Sequence, residues 1–183
     1  MKANQSLFVK SLQDPKTKEH AFKVLMGDYK ERLYWHIRKI VLDHDDANDV
    51  VQNTFIKIYT NINTFQENSK IYTWMYRIAT NEALNFIKSK SSKKGVSIEE
   101  WIDSKASRLI ADTYFDGDKI ALQLQKAISK LPEKQRIIFN MKYFDNMKYD
   151  DISEVLNTSV GALKASYHHA VKKIKSFIDV ENE

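Results

Sequence analysis

The chain has 183 residues, 43% of them hydrophobic, and a formal net charge of +5. That is enough apolar material for a core, which excludes wholesale disorder, and the basic balance favours an anionic partner without identifying it. No Cys is present, which excludes disulfides and Cys-ligated zinc, and four Gly with two Pro are too few for a turn-rich β sandwich.

Residues 1–10 lack an apolar core of signal-peptide length, and no apolar run approaches the roughly 20 residues of a membrane span. A cytoplasmic protein with no direct membrane insertion is expected. Phe22, Leu25, Met26, Tyr29, Leu33, Ile37, Ile40 and Val41 recur in steps of three and four, which predicts a first helix. Asp45 and Asp46 offer an N-cap for a second, marked by Val51, Phe55, Ile58 and Ile62. After a polar break at 63–69, Ile71, Trp74, Met75, Ile78, Ala79, Ala83, Phe86 and Ile87 predict a long third helix. Residues 91–95 read as a flexible exit. The segment 96–118 carries six acidic residues against two basic ones, with apolar residues too sparse for a core of its own, and reads as a linker.

Periodicity resumes at Ile120, Leu124, Ala127, Ile128 and Leu131, and Pro132 then opens a helix carrying Ile137, Ile138 and Met141. A short helix around Ile152, Val155 and Leu156 is followed by Asn157-Thr158-Ser159 and a last helix striped with Val160, Leu163, Tyr167, Ala170, Val171, Ile174 and Ile178. Short helix, polar turn and longer basic helix make the pattern of a helix-turn-helix. With Leu163 and Tyr167 inward, steps of about 100° put Gly161, Ala165, His168 and Lys172 outward, flanked by Lys164 and His169. Residues 119–175 hold eleven Lys or Arg against five acidic residues. Small residues near the helix start suit close approach to base edges, and lysines further on suit phosphates. An ordinary surface helix with solvated lysines fits the same residues, so both readings stay open at this point.

The run Asp49-Val50-Val51-Gln52-Asn53-Thr54-Phe55-Ile56-Lys57, then Phe65, then Tyr72-Thr73-Trp74-Met75-Tyr76-Arg77-Ile78-Ala79-Thr80-Asn81, closely resembles region 2 of extracytoplasmic-function sigma factors. Leu131-Pro132-Glu133-Lys134-Gln135-Arg136 through Ala170 resembles their region 4. The resemblance implies an all-α protein of two helical domains, a region 2 bundle (1–92) and a region 4 helix-turn-helix (117–183), joined by a flexible acidic linker (93–116). It implies a transcription initiation factor that binds core RNA polymerase, through the β′ clamp helices and the β subunit, and directs it to promoter DNA.

By the same resemblance, Asp49, Gln52 and Asn53 bind the β′ clamp helices. Asp49 capping its helix is the plain alternative. Phe65, Gln66, Glu67, Asn68 and Ser69 form the loop beside a pocket for a base flipped from the minus-ten element, with Asn81 lining it and Asn85 and Lys88 one and two turns beyond. An unstacked base needs apolar contact and hydrogen bonds to its edge, which Phe65 and Asn81 can supply. Trp74 and Tyr76 suggest base stacking, but Trp74 lies on the apolar stripe and belongs with the core. Gly161, Lys164, Ala165, His168, His169, Lys172 and Lys173 face the minus-thirty-five element. An anti-sigma protein is a further partner known for the family.

This chain departs from the family in three places, the smallest being Asn53 where an acidic residue is usual. Gln66-Glu67 stands where Arg-Gly is common, so the base preference cannot be carried over. Ala162, Ala165 and Ser166 stand where the family often has Thr and Ser or Arg, which leaves few long donors for bidentate contacts on the recognition helix. An accessory DNA-bound recruiter would compensate for weak minus-thirty-five readout.

Asp45-Asp46-Ala47-Asn48-Asp49 matches the DDxxD magnesium motif of isoprenoid synthases, but the longer chain and second motif of that fold are missing, and a helix-capping loop is the better reading. Adjacent His168 and His169 point about 100° apart and cannot chelate as an i, i+4 pair would. No catalytic set or nucleotide loop is found, so no enzyme, metal or cofactor is expected. The rival reading is a conventional repressor or activator whose N-terminal half senses a ligand or dimerises.

Overall fold

The computed structural model describes residues 2–107 and 119–181, which form helices and no strand. The helices are α1 (Lys2–Gln13), α2 (Lys18–Val41), α3 (His44–Asn61), α4 (Ile71–Lys94), α5 (Ile98–Ala106), α6 (Lys119–Ser129), α7 (Glu133–Tyr143), α8 (Tyr149–Leu156) and α9 (Val160–Glu181). A 3-10 turn, Ile62–Thr64, follows α3.

Helices α2, α3 and α4 pack mutually as the N-terminal core. Their inner faces are the expected apolar stripes: Leu33, Ile37 and Ile40 from α2, Val51, Phe55 and Ile58 from α3, Met75, Ala79, Ala83 and Ile87 from α4 are all buried. The connection from α2 to α3 is two residues long. Leu42 takes a left-handed conformation (φ 61°), and its N–H bonds Arg38 O. The Asp43 carboxylate then accepts from Asp46 N at 3.0 Å. The cap is therefore Asp43, not Asp45 or Asp46, because α3 begins at His44. Helix α1, not anticipated from its sequence, buries Val9 and Leu12. Gln13 Nε2 donates to both Ile62 O and Phe65 O at 3.0 Å, which ties α1 to the loop after α3.

Helix α4 runs to Lys94 and stops at Gly95, whose φ of 67° has no steric cost without a Cβ. The segment read as a flexible linker is partly ordered. Ser97 and Glu100 cap α5 reciprocally, and Trp101, Ile102 and Ala106 are buried between α4 and α6. Few apolar residues suffice there because neighbouring helices provide the other walls. The remainder of the expected linker, 108–116, lies outside the described residues.

In the C-terminal half, Ala127, Ile128, Leu131, Phe139, Ala170 and Ile174 bring α6, α7 and α9 together. Phe139 stacks on Tyr167 at 5.7 Å. The two halves also touch. Helix α8 packs on α4 and α7 on α2, and Ile138, Met141, Met147, Ile152 and Val155 join the same buried cluster as the N-terminal core.

Candidate functional site

On α3, Val50, Val51, Thr54, Phe55 and Ile58 face inward, so helical geometry turns Asp49, Gln52 and Asn53 to solvent together. With Asp43 capping, Asp49 is in the second turn and not needed as the cap. Ile56, 60% exposed, continues the same outward row. It was missed because its type suggests core, although its place in the period does not. Beside this face, Trp35 of α2 is 44% exposed over a groove shared with Asn48 and Val51.

In the loop before α4, Gln66, Glu67 and Asn68 are exposed, and Ser69 is half-buried. Phe65 is not presented with them. Its ring is 5% exposed and lies 5.2 Å from Trp74, where burial is worth more than exposure in a polar loop. The apolar contact expected from Phe65 would require that packing to open. Trp74 and Tyr76 belong to the core, and burial raises the Tyr76 hydroxyl well above the usual tyrosine range. Asn81, Asn85 and Lys88 are exposed along one face of α4. Glu82, next to Asn81, pairs with Lys57 of α3 at 2.6 Å and keeps the two helices in register.

The helix-turn-helix has the expected limits. Asn157 ends α8 in the left-handed region (φ 48°), and Ser159 Oγ accepts from Ala162 N at 3.4 Å at the start of α9. Leu163 is fully buried and Tyr167 half-buried. Gly161, Lys164, Ala165, His168, His169, Lys172 and Lys173 are all exposed. The His168 and His169 rings are 6.1 Å apart. The Asp43 and Asp46 carboxylates both bond Lys105 of α5, at 2.7 and 2.8 Å. Burial would raise the Asp43 carboxyl, but Lys105 and the Asp46 N–H outweigh it and hold it below the usual carboxylate range.

A polar cluster that sequence reading missed joins the two halves. His36 of α2 is fully buried, with Nδ1 2.7 Å from Asp145 Oδ2 and Nε2 2.9 Å from Thr80 Oγ1. Thr80 in turn donates its hydroxyl hydrogen to Tyr76 O at 2.7 Å. Lys39 Nζ reaches the other Asp145 oxygen at 2.9 Å. Lys70, just after the exposed loop, meets Asp151 of α8 at 2.9 Å. The available signal was His36 itself, one turn after Leu33 on an apolar stripe.

Two family models match in chain order: "Sigma-70 region 2" on residues 25–93 and "Sigma-70, region 4" on 121–174. The chain is 30% identical over 177 residues to the ECF RNA polymerase sigma factor SigW of Bacillus subtilis, covering 89% of this chain and 91% of that one. The chain belongs to the extracytoplasmic-function group of sigma-70 factors. It is also 28% identical to the RNA polymerase sigma-H factor of Pseudomonas aeruginosa, over 85% of each chain. Among solved structures, CnrH in complex with the cytosolic domain of CnrY superposes with a TM-score of 0.71 at 18% identity, covering 96% of this chain and 97% of that one. The sigma factor RpoE in complex with the anti-sigma factor NepR from Bartonella quintana superposes at 0.67 and 17% identity, covering 87% and 97%. This sigma factor is a transcription initiation factor that binds core RNA polymerase and confers promoter recognition, and the repressor or activator reading is not favoured. No helix among the described residues is long and apolar enough to cross a membrane.

Proposed function

We propose that this sigma factor divides its work between two domains, 1–92 and 117–183, in the cytoplasm. The exposed row Asp49, Gln52 and Asn53, extended by Ile56, docks on the β′ clamp helices. A polar row ending in an exposed aliphatic side chain suits a partner helix that offers both charge and apolar contact. Gln66 to Ser69 with Asn81, Asn85 and Lys88 engage the melted minus-ten strand, and Asn81 supplies hydrogen bonds to a flipped base. On α9, Gly161, Lys164, Ala165 and His168 face base edges, and His169, Lys172 and Lys173 face phosphate. The single observation that carries this reading is the joint exposure of these three sets on a fold that buries most of its apolar stripes.

One structural neighbour is held by an anti-sigma factor, which supports a partner of that class here. The alanines of α9 support dependence on an accessory DNA-bound factor, which raises local concentration instead of adding base contacts. The test of the docking face is Asp49→Ala with Gln52→Ala in a core-polymerase binding assay. Affinity falls about tenfold or more while circular dichroism is unchanged, and unchanged affinity would refute the assignment.

A further inference from the structure

Helix α1 is fastened to the N-terminal core by Val9 and Leu12, both fully buried, and its polar edge reaches the loop after α3. The Gln13 amide nitrogen carries two hydrogens and has an acceptor for each, Ile62 O and Phe65 O, both at 3.0 Å. Those carbonyls stand at the start of the 3-10 turn Ile62–Thr64 and just past its end, and Phe65 N closes the turn by donating to Ile62 O at 3.1 Å. One side chain, 49 and 52 residues away in sequence, therefore spans the turn and fixes where the backbone leaves it.

Gln66, Glu67, Asn68 and Ser69 follow directly. Glu67 takes φ 56°, a left-handed conformation that is costly for a residue carrying a Cβ. Ser6 Oγ donates to Glu67 Oε1 at 3.2 Å. Ser6 precedes Gln13 by about two helical turns, so both tethers rise from one edge of α1. Gln66, Glu67 and Asn68 are exposed, so burial does not hold the shape of this loop. Among the described residues, the long-range hydrogen bonds to 62–69 all come from α1.

We propose that Gln13 is a positioning residue for minus-ten readout, with Ser6 as a second, weaker tether. Gln13 does not touch DNA. It holds Ile62 and Phe65 in register, so residues 66–69 are already shaped when the strand melts. This role rests on the reading, proposed above, that 66–69 and Asn81 engage that strand. A preorganised loop loses little freedom on binding, whereas a loop released from α1 has to be ordered by the base it binds. The difference falls on base discrimination, because contacts to a base edge specify sequence and phosphate contacts do not.

The test compares Gln13→Ala, Gln13→Glu and Gln13→Lys in holoenzyme reconstituted with core polymerase. Alanine has no side-chain donor and the Glu carboxylate only accepts, whereas the Lys ammonium has hydrogens for both carbonyls. Opening rates are followed by permanganate footprinting on four templates that differ only in the flipped base. Gln13→Ala and Gln13→Glu shrink the ratio of the fastest to the slowest rate at least about threefold, as expected for lost hydrogen bonds, and Gln13→Lys restores it. Closed-complex affinity is unchanged in all three. A purely structural Gln13 would lower the four rates alike, so an unchanged ratio would overturn the positioning role. In the free chain, amide resonances of 62–69 shift in the Ala and Glu variants and return in the Lys variant, and unmoved resonances would overturn the tether. Asn81→Ala is measured alongside. If it impairs opening while the Gln13 variants keep the wild-type ratio, the positioning role alone fails. If Asn81→Ala opens normally and wild type opens all four templates alike, the minus-ten reading fails and this role with it.

Discussion

At the residue scale, the buried Asp145 carboxylate sits where helices from the two halves meet. Burial by itself would raise the Asp145 carboxyl, but hydrogen bonds and charge from His36 and Lys39 outweigh it and hold it below the usual carboxylate range. A carboxyl whose folded pKa is depressed contributes stability that is fully present above its unfolded value of about 3.9 and is lost as pH falls through the folded value. Wild-type stability should therefore fall more steeply below about pH 4 than that of Asp145→Asn, in denaturant titrations at matched ionic strength. Parallel curves would mean that the Asp145 charge is not felt. At neutral pH wild type is the more stable, since removing one partner of a buried ion pair typically costs about 3–5 kcal/mol. Elsewhere, single residues were legible in proportion to their period. Asp49, Gln52 and Asn53 could be placed outward by counting, whereas Phe65 in a polar loop gave no hint that its ring would turn onto Trp74.

At the scale of elements, α9 and α5 are opposite cases. The outward face of α9 follows from the spacing of Leu163, Tyr167, Ala170 and Ile174, and its lysines stand free of the core. Replacing Lys172 and Lys173 by Gln should lower affinity for all promoter sequences alike, and the slope of log affinity against log salt should flatten by up to about two units. A loss confined to one promoter would assign these lysines to bases instead. Helix α5 sits in a stretch whose acidity suggested an open linker, but its capping box and Trp101 make it part of the packing. Lys94 and Lys105 lie over the Trp101 ring at 4.8 and 5.1 Å, so even the charges flanking α5 are used locally. Trp101→Ala should cost about 3–5 kcal/mol in urea unfolding, whereas a true linker residue would cost less than about 0.5 kcal/mol.

For the whole molecule, the proposed function puts two DNA-facing surfaces of unequal strength on one chain. The α9 face has Ala162 and Ala165 where bidentate donors would sit, and each such contact is worth about 1–3 kcal/mol of discrimination. With holoenzyme reconstituted from purified components, scrambling the minus-thirty-five element should reduce transcription by less than about tenfold, and a DNA-bound recruiter should restore the lost part. Abolished transcription with no accessory factor would show strong readout by α9.

The sequence by itself determined the helices, because apolar period and turn residues act over a few neighbours. It also determined the family, because the run from Tyr72 to Asn81 and the region 4 motif are local strings. Both helix-turn-helix limits and the outward residues of α3 and α9 follow from the same local rules. Only the tertiary structure decided that Phe65 packs inward, that α5 is ordered, and that His36 and Lys39 meet Asp145 more than a hundred residues away. Those outcomes depend on which surfaces meet across the chain. A buried charge is stable only where its partner arrives, and period and composition carry no record of that partner.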